Sequence, residues 1–268
     1  MTDPPEQWLD AMRWRSQGCP GDLDGALEQT LSDHNFMLSS LHQYKLLVIG
    51  GGLLAAEIAL GLAQAGITVQ ISASEAAPVG LDPMGFHTSA AAAVRAWVLE
   101  RLPAAKIETG PHWTALTDGC CDLVVVAPAT VQPDRAITDH LARHWLPHLI
   151  VRAHCDTAVV GPLVDHQGGP CMGCLDLSLA DHDELWPTTA AALTTRVAYP
   201  DQLTAHWAGA QAAMESAWFL RGSGTTLRTS TLEADAKTAG LARRRWSPHP
   251  QCACRYTINE AIDLRRAA

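Results

Sequence analysis

Two pairs of cysteines in this sequence have the spacing of metal ligands. Cys171 and Cys174 form a Cys-x-x-Cys pair, and Cys252 and Cys254 form a Cys-x-Cys pair after 77 intervening residues. Each short turn offers two thiolates to one ion, so a fold that brings the turns together creates a tetrahedral zinc site. Because sulfur fills all four positions, the predicted Zn²⁺ is structural. It would tie the C-terminal part of the chain to the domain that precedes it.

Two other interpretations of these cysteines stay open. A redox-active dithiol of the thioredoxin type also uses Cys-x-x-Cys, and buried thiols can lie near one another without sharing an ion. The redox interpretation is the weaker one, because Cys171 follows a Gly-Gly-Pro loop far from the first strand–helix–strand pattern. We interpret the remaining cysteines as small core side chains or free thiols. They are Cys19, Cys120, Cys121 and Cys155.

A run of three glycines, Gly50-Gly51-Gly52, lies between a predicted strand and an alanine-rich predicted helix. Such a turn can present backbone N–H groups and a helix N-terminus to a phosphate. The spacing does not reproduce Gly-x-Gly-x-x-Gly. About 20 residues further on, where a ribose-binding acid is expected, the sequence reads Ser72-Ala73-Ser74, with Glu75 one step beyond. The pattern therefore favours glycines kept for close packing, with nucleotide binding as the second interpretation.

Histidines and arginines give weaker signals. His140 and His144 are four residues apart on one predicted helix, but no acid completes a His-Glu-x-x-His motif, so a solvated or pocket-lining face is favoured over a metal site. Cys155 is next to a histidine, and adjacency argues against a reactive pair because neighbours on a strand point to opposite faces. The run Arg243–Arg245 is interpreted as a solvated edge, with contact to an acidic peptide or partner as the alternative.

Strand and helix patterns alternate from residue 45 to residue 165. The predicted strands cover 45–49, 67–72, 106–109, 122–126, 149–153 and 158–164, and the predicted helices cover 53–65, 89–102 and 133–145. This alternation predicts an α/β, Rossmann-like, doubly wound and mostly parallel sheet, with ligands at the carboxyl ends of its strands. A helical stretch at 188–220 and a possible strand at 225–232 predict a C-terminal extension fastened by the cysteines. We expect an N-terminal extension over 1–44, the main domain over 45–256 and a tail over 257–268.

Composition excludes several classes of function. The chain has 268 residues and a net charge of −9, and only three of its basic residues are lysines. We therefore expect no nonspecific nucleic-acid binding, because no broad surface can neutralise phosphates. No apolar run reaches the roughly 18 residues of a membrane span, and residues 1–14 lack a signal-peptide pattern. We expect a cytoplasmic protein without membrane contact, in which thiols stay reduced and metal ligation is favoured.

Three segments resemble the ThiF-like family, which is related to ubiquitin-activating enzymes. They are 46–66, 158–177 and 246–254. The resemblance is closest to the branch that works beside YcaO cyclodehydratases in making thiazole- and oxazole-modified peptides. That branch carries Gly-Pro-Leu and Pro-Cys-x-x-Cys-Leu-Asp-Leu before its helices and His-Pro-x-Cys-x-Cys at its end, and Trp186-Pro187 and Pro248-His249-Pro250 fit the same pattern.

The resemblance implies a homodimeric Rossmann-like fold with a zinc ion on Cys171, Cys174, Cys252 and Cys254. In adenylating members it also implies ATP, Mg²⁺ and attack of a carboxyl terminus on the α-phosphate. The matching positions here lack the groups that this chemistry needs. No arginine or lysine occurs between Ser72 and Phe86, and Ala127-Pro128-Ala129-Thr130 stands where the family has a metal-binding aspartate. We therefore doubt that ATP and Mg²⁺ act on this chain.

These observations predict a zinc-containing partner or scaffold without catalysis of its own. It would present a precursor peptide to a YcaO-type cyclodehydratase, or organise that enzyme. Members of this branch commonly carry an N-terminal peptide clamp of about 80 residues, and the 44 residues before the first strand are too few for one. Two enzyme hypotheses stay open, both on fold analogy: an ATP-dependent adenylyltransferase that activates a peptide or sulfur-carrier C-terminus, and a nicotinamide oxidoreductase.

Overall fold

The computed structural model describes residues 41–73, 81 and 89–254. Several predictions lie outside these residues: most of the N-terminal extension, the C-terminal tail, Cys19, Ser74 and Glu75. The domain limits proposed from the sequence stay predictions.

The described part of the chain folds around one sheet of eight strands, in the order β3-β2-β1-β4-β5-β6-β7-β8. The strands are β1 (Lys45–Ile49), β2 (Thr68–Ser72), β3 (Ile107–Thr109), β4 (Leu123–Val126), β5 (His148–His154), β6 (Thr157–Val164), β7 (Ser230–Asp235) and β8 (Gly240–Arg245). From β3 to β5 all neighbours are parallel, and from β5 to β8 they are antiparallel. The predicted α/β, mostly parallel, Rossmann-like sheet is confirmed.

Six α-helices belong to the described residues. They are α1 (Leu53–Gln64), α2 (Ala90–Arg101), α3 (Arg135–Arg143), α4 (Met172–Ala180), α5 (Trp186–Leu193) and α6 (Gln202–Leu220). Three of them begin at a side chain that accepts a backbone N–H, which is the usual N-cap arrangement: Ser89, Asp134 and Asp201. Among the helices of the described segments, none is long and apolar enough to cross a membrane.

Alternate side chains of β1 enter cores on opposite faces of the sheet. Leu46 and Val48 pack with residues of α1, α2 and α6, whereas Leu47 and Ile49 pack with β4 and α3. Helices α1 and α6 approach each other closely at Gly209, where a Cβ atom would lie 2.8 Å from the backbone carbon of Glu57. Burial on both faces explains why the central strands have continuous apolar sequences.

The structure differs from the sequence prediction mainly in the C-terminal half of the sheet. Strands β5 and β6 form an antiparallel hairpin, because only two residues separate them and a parallel connection needs a crossover of a dozen or more. Helix α3 is shorter than predicted, since Asp134 caps its start and Trp145, at φ 55°, has left the helical region. Strand β7 starts at Ser230, five residues later than predicted, and α4 and β8 were not predicted.

Candidate functional site

The four cysteines of the two pairs converge on one point. The Sγ atom of Cys171 lies 3.9 Å from that of Cys174 and 3.6 Å from that of Cys252, and the sulfurs of Cys174 and Cys254 are 3.4 Å apart. All four lie within 4.8 Å of one another. Zinc–sulfur bonds of about 2.3 Å in a tetrahedron place sulfurs about 3.8 Å apart. The cluster can therefore hold a metal ion of the size of Zn²⁺ with little rearrangement.

Helix α4 positions the first pair of sulfurs. Cys171 is the N-cap residue of this helix and Cys174 lies in its first turn, so the backbone N–H of Cys174 donates to the carbonyl of Cys171 at 3.0 Å. Between them, Gly173 faces the second pair. A Cβ atom there would lie 3.4 Å from the sulfur of Cys252, so a glycine leaves room for the four sulfurs to approach.

Polar and apolar contacts fix the segment that carries the second pair. Nε2 of His249 forms a hydrogen bond with Oδ2 of Asp181, at the end of α4, at 3.0 Å. The indole of Trp246 donates to the hydroxyl of Thr231 on β7 at 3.0 Å. The same indole packs against a small cluster formed by Ile150, Met172 and Leu175. The chain after β8 is thus held against α4 and the sheet.

The sulfurs influence one another's ionisation. Hydrogen bonds from Cys171 and Cys254 hold the pKa of Cys174 far below that of an ordinary thiol. The pKa of Cys171 is raised, chiefly because its thiol donates to Cys174. Cys174 is therefore favoured as a thiolate that accepts hydrogen bonds from the thiols of Cys171 and Cys254. A divalent cation that replaces the shared protons would stabilise all four thiolates and release protons.

The glycine turn packs against the end of β4. Gly50 has φ 147°, and a Cβ atom on it would overlap the carbonyl oxygen of Ala127. Its N–H donates to Ser72 at the end of β2 at 3.0 Å. Gly52 caps α1 without a side-chain hydrogen bond. Close packing against Ala127 therefore explains why a glycine occupies position 50. Nucleotide binding by Gly50, Gly51 and Gly52 stays a prediction.

The described carboxyl edge of β1, β2 and β4 is uncharged. The residues that end or follow these strands are 50–52, 72–73 and 127–132, and none of them is acidic or basic. The prediction that Ala127-Pro128-Ala129-Thr130 follows β4 is confirmed. These residues themselves offer a cation no carboxylate and a phosphate no basic side chain, although Arg135 and Arg152 donate to Gln132 from behind the edge.

A polar unit behind this edge was not predicted. Arg135 donates to Asp176 through Nε and, at 2.8 Å, through Nη2, and the indole of Trp186 donates to the same carboxylate at 3.0 Å. Gln132 accepts from Arg152 at 3.1 Å. These residues come from α3, α4, α5, β5 and the loop after β4. The only signal in the sequence was the Leu-Asp-Leu and Trp-Pro pattern, which did not indicate a contact.

The weaker candidates have ordinary structural roles. The Nε2 atom of His140 contacts the carbonyl of Leu116 at 3.0 Å, and the centroid of its ring lies 4.3 Å from that of His144, with the two rings tilted by 41°. Within the described segments, no set of three donors other than the cysteine cluster can hold a metal. Cys155 is exposed at the tip of the β5–β6 hairpin. The run Arg243–Arg245 lies on the fully exposed strand β8, as the interpretation as a solvated edge expects.

No protein-family model matches this sequence, and no curated protein does. Solved structures do. The E. coli MccB structure is 15% identical with a TM-score of 0.61, over 81% of this chain and 66% of MccB, just under two thirds of its length. MccB, described as a Microcin C7 biosynthetic enzyme, has also been solved in complex with N-formylated MccA. That structure is 13% identical with a TM-score of 0.63, over 94% of this chain and 83% of that chain. PaaA is 14% identical with a TM-score of 0.57, and the match covers 78% of this chain and 75% of PaaA.

The fold is a ThiF/MccB-like Rossmann fold. At 13 to 15% identity, the likeness is one of fold.

Proposed function

We propose that this chain is a zinc-containing, ThiF-like partner in the modification of ribosomally made peptides, without adenylating activity of its own. The observation that carries the proposal is the uncharged carboxyl edge of β1, β2 and β4 in the described part of the chain. Adenylation places several negative charges on phosphates and a metal, and enzymes stabilise them with basic side chains and carboxylates. The described residues of this edge carry neither group, and this favours a partner role over adenylation.

Peptide modification is supported by two features. The fold is similar to that of MccB, which has been solved in complex with N-formylated MccA. The second feature is the resemblance to the branch that works with YcaO cyclodehydratases. Its Leu-Asp-Leu and Trp-Pro elements are joined here through Asp176, which accepts hydrogen bonds from both Trp186 and Arg135. The pattern thus corresponds to a group of side chains that are hydrogen-bonded to one another.

In the proposed role, the chain presents a precursor peptide to a YcaO-type cyclodehydratase, or organises that enzyme, and the cyclodehydratase consumes the ATP. We also propose that this chain forms a homodimer in the cytoplasm. Zinc on Cys171, Cys174, Cys252 and Cys254 would hold the segment after β8 against α4, which maintains the shape of the partner surface.

Reconstitution tests this role. A YcaO-type cyclodehydratase from the same genome is incubated with ATP and a short Cys/Ser-rich precursor, with and without this chain, and the loss of one water per ring is followed by mass spectrometry. We expect ring formation to accelerate at least tenfold when the chain is present. Ring formation that proceeds equally well without it, together with no detectable complex by gel filtration, would contradict the proposal.

An ATP-dependent adenylyltransferase is the second candidate, because the fold is similar to that of MccB solved with ATP and the glycine turn before α1 is present. Exchange of labelled pyrophosphate into ATP distinguishes the two. We expect no exchange with candidate precursor peptides, with E. coli MccB and MccA as the positive control. Exchange above background would establish the adenylyltransferase instead.

A further inference from the structure

Strand β8 has an open outer side at the antiparallel end of the sheet. Among the described residues, no strand pairs with that side, and the whole of Gly240–Arg245 is exposed. A strand in this position presents a row of backbone N–H and C=O groups with which another chain can pair. The strand at the other end of the sheet, β3, has 3 residues against the 6 of β8. The outer side of β8 is therefore the longer place for an added strand.

The register with β7 shows which residues of β8 face outward. The N–H of Trp246 donates to the carbonyl of Thr229 at 2.8 Å, directly beyond the last pair of the two strands. Bonded pairs alternate along an antiparallel ladder, so every second residue back from Trp246 bonds to β7. The residues between them turn their backbone groups to the open side. They are Leu241, Arg243 and Arg245.

The side chains at these three positions share one face of the sheet. Leu241 is 64% exposed. Arg243 donates to a hydroxyl group, and Arg245 is exposed. Within the described segments, neither guanidinium is paired with a carboxylate, whereas Arg244, on the opposite face, is paired with Glu233 at 2.8 Å. The outer side of β8 thus combines free backbone groups with two unbalanced positive charges, on a chain whose net charge is −9.

We propose that the outer side of β8 binds an acidic peptide in an extended conformation, which adds a strand to the sheet. The peptide backbone would exchange hydrogen bonds with Leu241, Arg243 and Arg245. Two acidic side chains at alternate positions would lie opposite the arginines, and an apolar side chain at the next alternate position would lie opposite Leu241. That this peptide is a precursor peptide rests on the proposed function. The binding of an acidic strand does not.

A second copy of this chain fits the same side less well. It would present the same arginines, so that two paired β8 strands would gather unpaired guanidinium groups of both chains along one seam. Like charges that face each other across a strand pair are destabilising, and charged side chains at an open strand are a known protection against such pairing. An acidic peptide balances these charges instead.

Fluorescence anisotropy with the full zinc-loaded chain tests the proposal. The labelled probes are Thr-Glu-Thr-Glu-Thr-Val-Thr and its reverse, because an added strand can run in either direction, and versions of both with glutamine or lysine in place of glutamate. We expect one glutamate peptide to bind at least tenfold more tightly than its glutamine version, and the lysine version to bind more weakly still. No binding of either glutamate peptide, or equal affinities for all the versions, would overturn the proposal.

A methylated peptide separates strand pairing from charge attraction. The better glutamate peptide with methyl groups on its backbone nitrogens keeps both carboxylates but donates no backbone hydrogen bond. We expect it to bind at least fivefold more weakly. Undiminished binding would mean that charge alone attracts the peptide, which contradicts an added strand.

Variants locate the binding on β8. Arg243→Gln combined with Arg245→Gln should weaken binding of the glutamate peptide at least tenfold. Lys106→Gln removes an exposed positive charge just before β3, at the other end of the sheet, and should leave affinity unchanged. Leu241→Pro removes one outward N–H without changing the charge, at a place where a sheet tolerates proline, and should weaken binding at least fivefold. Full affinity in both the double glutamine variant and Leu241→Pro would place the peptide elsewhere and overturn the assignment.

These titrations contain no cyclodehydratase and no ATP, so their outcome is separate from that of the reconstitution. Binding of the acidic strand with no effect on ring formation would leave the outer side of β8 assigned and the proposed function refuted. Faster ring formation without binding of the glutamate peptides would support the proposed function and refute the assignment.

Discussion

The backbone of Gly50 touches the carbonyl oxygen of Ala127, so that a Cβ atom on residue 50 would overlap that oxygen. The contact follows from the pairing of β1 with β4, in which Ile49 lies opposite Val126 and accepts the N–H of Ala127 at 2.8 Å. The ends of the two central strands are therefore locked together at the point where a nucleotide would approach. The contact therefore gives Gly50 a packing role that does not depend on nucleotide binding.

We expect Gly50→Ala to destabilise the fold by at least about 3 kcal/mol, because a positive φ and a backbone overlap act together. Gly52→Ala is the matched control. Its Cβ atom would meet only Ala129, at 3.7 Å, so the loss should stay below about 1 kcal/mol. Urea unfolding of the two variants measures the difference. Similar free energies of unfolding for the two would show that packing at Gly50 is not the reason for this glycine.

Cys174→Ser should reduce the metal content from about one zinc per chain to less than a tenth of that, because one of four ligands is lost. Loss of the ion should also lower the free energy of unfolding by at least about 3 kcal/mol. Elemental analysis and thermal unfolding follow both effects. Cys155→Ser, at an exposed cysteine, is the control and should retain metal and stability. Metal-free protein that is as stable as the loaded form would contradict the metal site.

The pair Arg135 and Asp176 should contribute measurably to stability, because both side chains are about three-quarters buried and meet in a two-bond geometry. We expect Arg135→Ala to cost about 2 kcal/mol, and a double-mutant cycle with Asp176→Ala to show about 1 kcal/mol or more of coupling. Glu100→Ala, which removes one side of the exposed pair with Arg101, should cost under about 0.5 kcal/mol. A coupling energy near zero would mean that the two side chains act independently.

Stability should fall as the pH falls below about 6.5, and His148 should account for part of the loss. Burial lowers the pKa of its imidazole to about 4, so between these pH values the unfolded chain binds a proton that the folded chain does not. The contribution is intact above about pH 6.5 and reaches about 3 kcal/mol of lost stability near pH 4.

Urea unfolding of wild type and His148→Gln at matched pH isolates this contribution, because effects shared by both proteins cancel. The difference in unfolding free energy should change by about 1 kcal/mol or more between pH 7 and pH 5. His144→Gln should follow the wild type. Parallel pH profiles for wild type and His148→Gln would show that the buried ring does not titrate in this way.

The central strands could be predicted from sequence because burial on both faces leaves a continuous apolar signal, as in β1 and β4. Strand β8 leaves no such signal. It reads Gly-Leu-Ala-Arg-Arg-Arg and is exposed along its whole length. It forms because it pairs with β7, where Asp235 lies opposite Gly240 and Ser230 lies opposite Arg245. A pattern of hydrophobic residues cannot reveal a strand that is held by backbone pairing and by the ion pair of Arg244 with Glu233.

The cysteine cluster could be predicted because metal ligands in short turns have a fixed local spacing. The contact between Arg135 and Asp176 could not, because the two lie 41 residues apart and neither residue type indicates a partner.

The order of the two cysteine pairs along the chain determines what a shared ion encloses. Cys171 and Cys174 alone offer half of a tetrahedron, and the other half follows strands β7 and β8. A zinc ion held by all four sulfurs would therefore close a long loop that contains the antiparallel end of the sheet. Closing such a loop lowers the conformational entropy of the unfolded chain, so the ion would stabilise the fold even where it makes no contact.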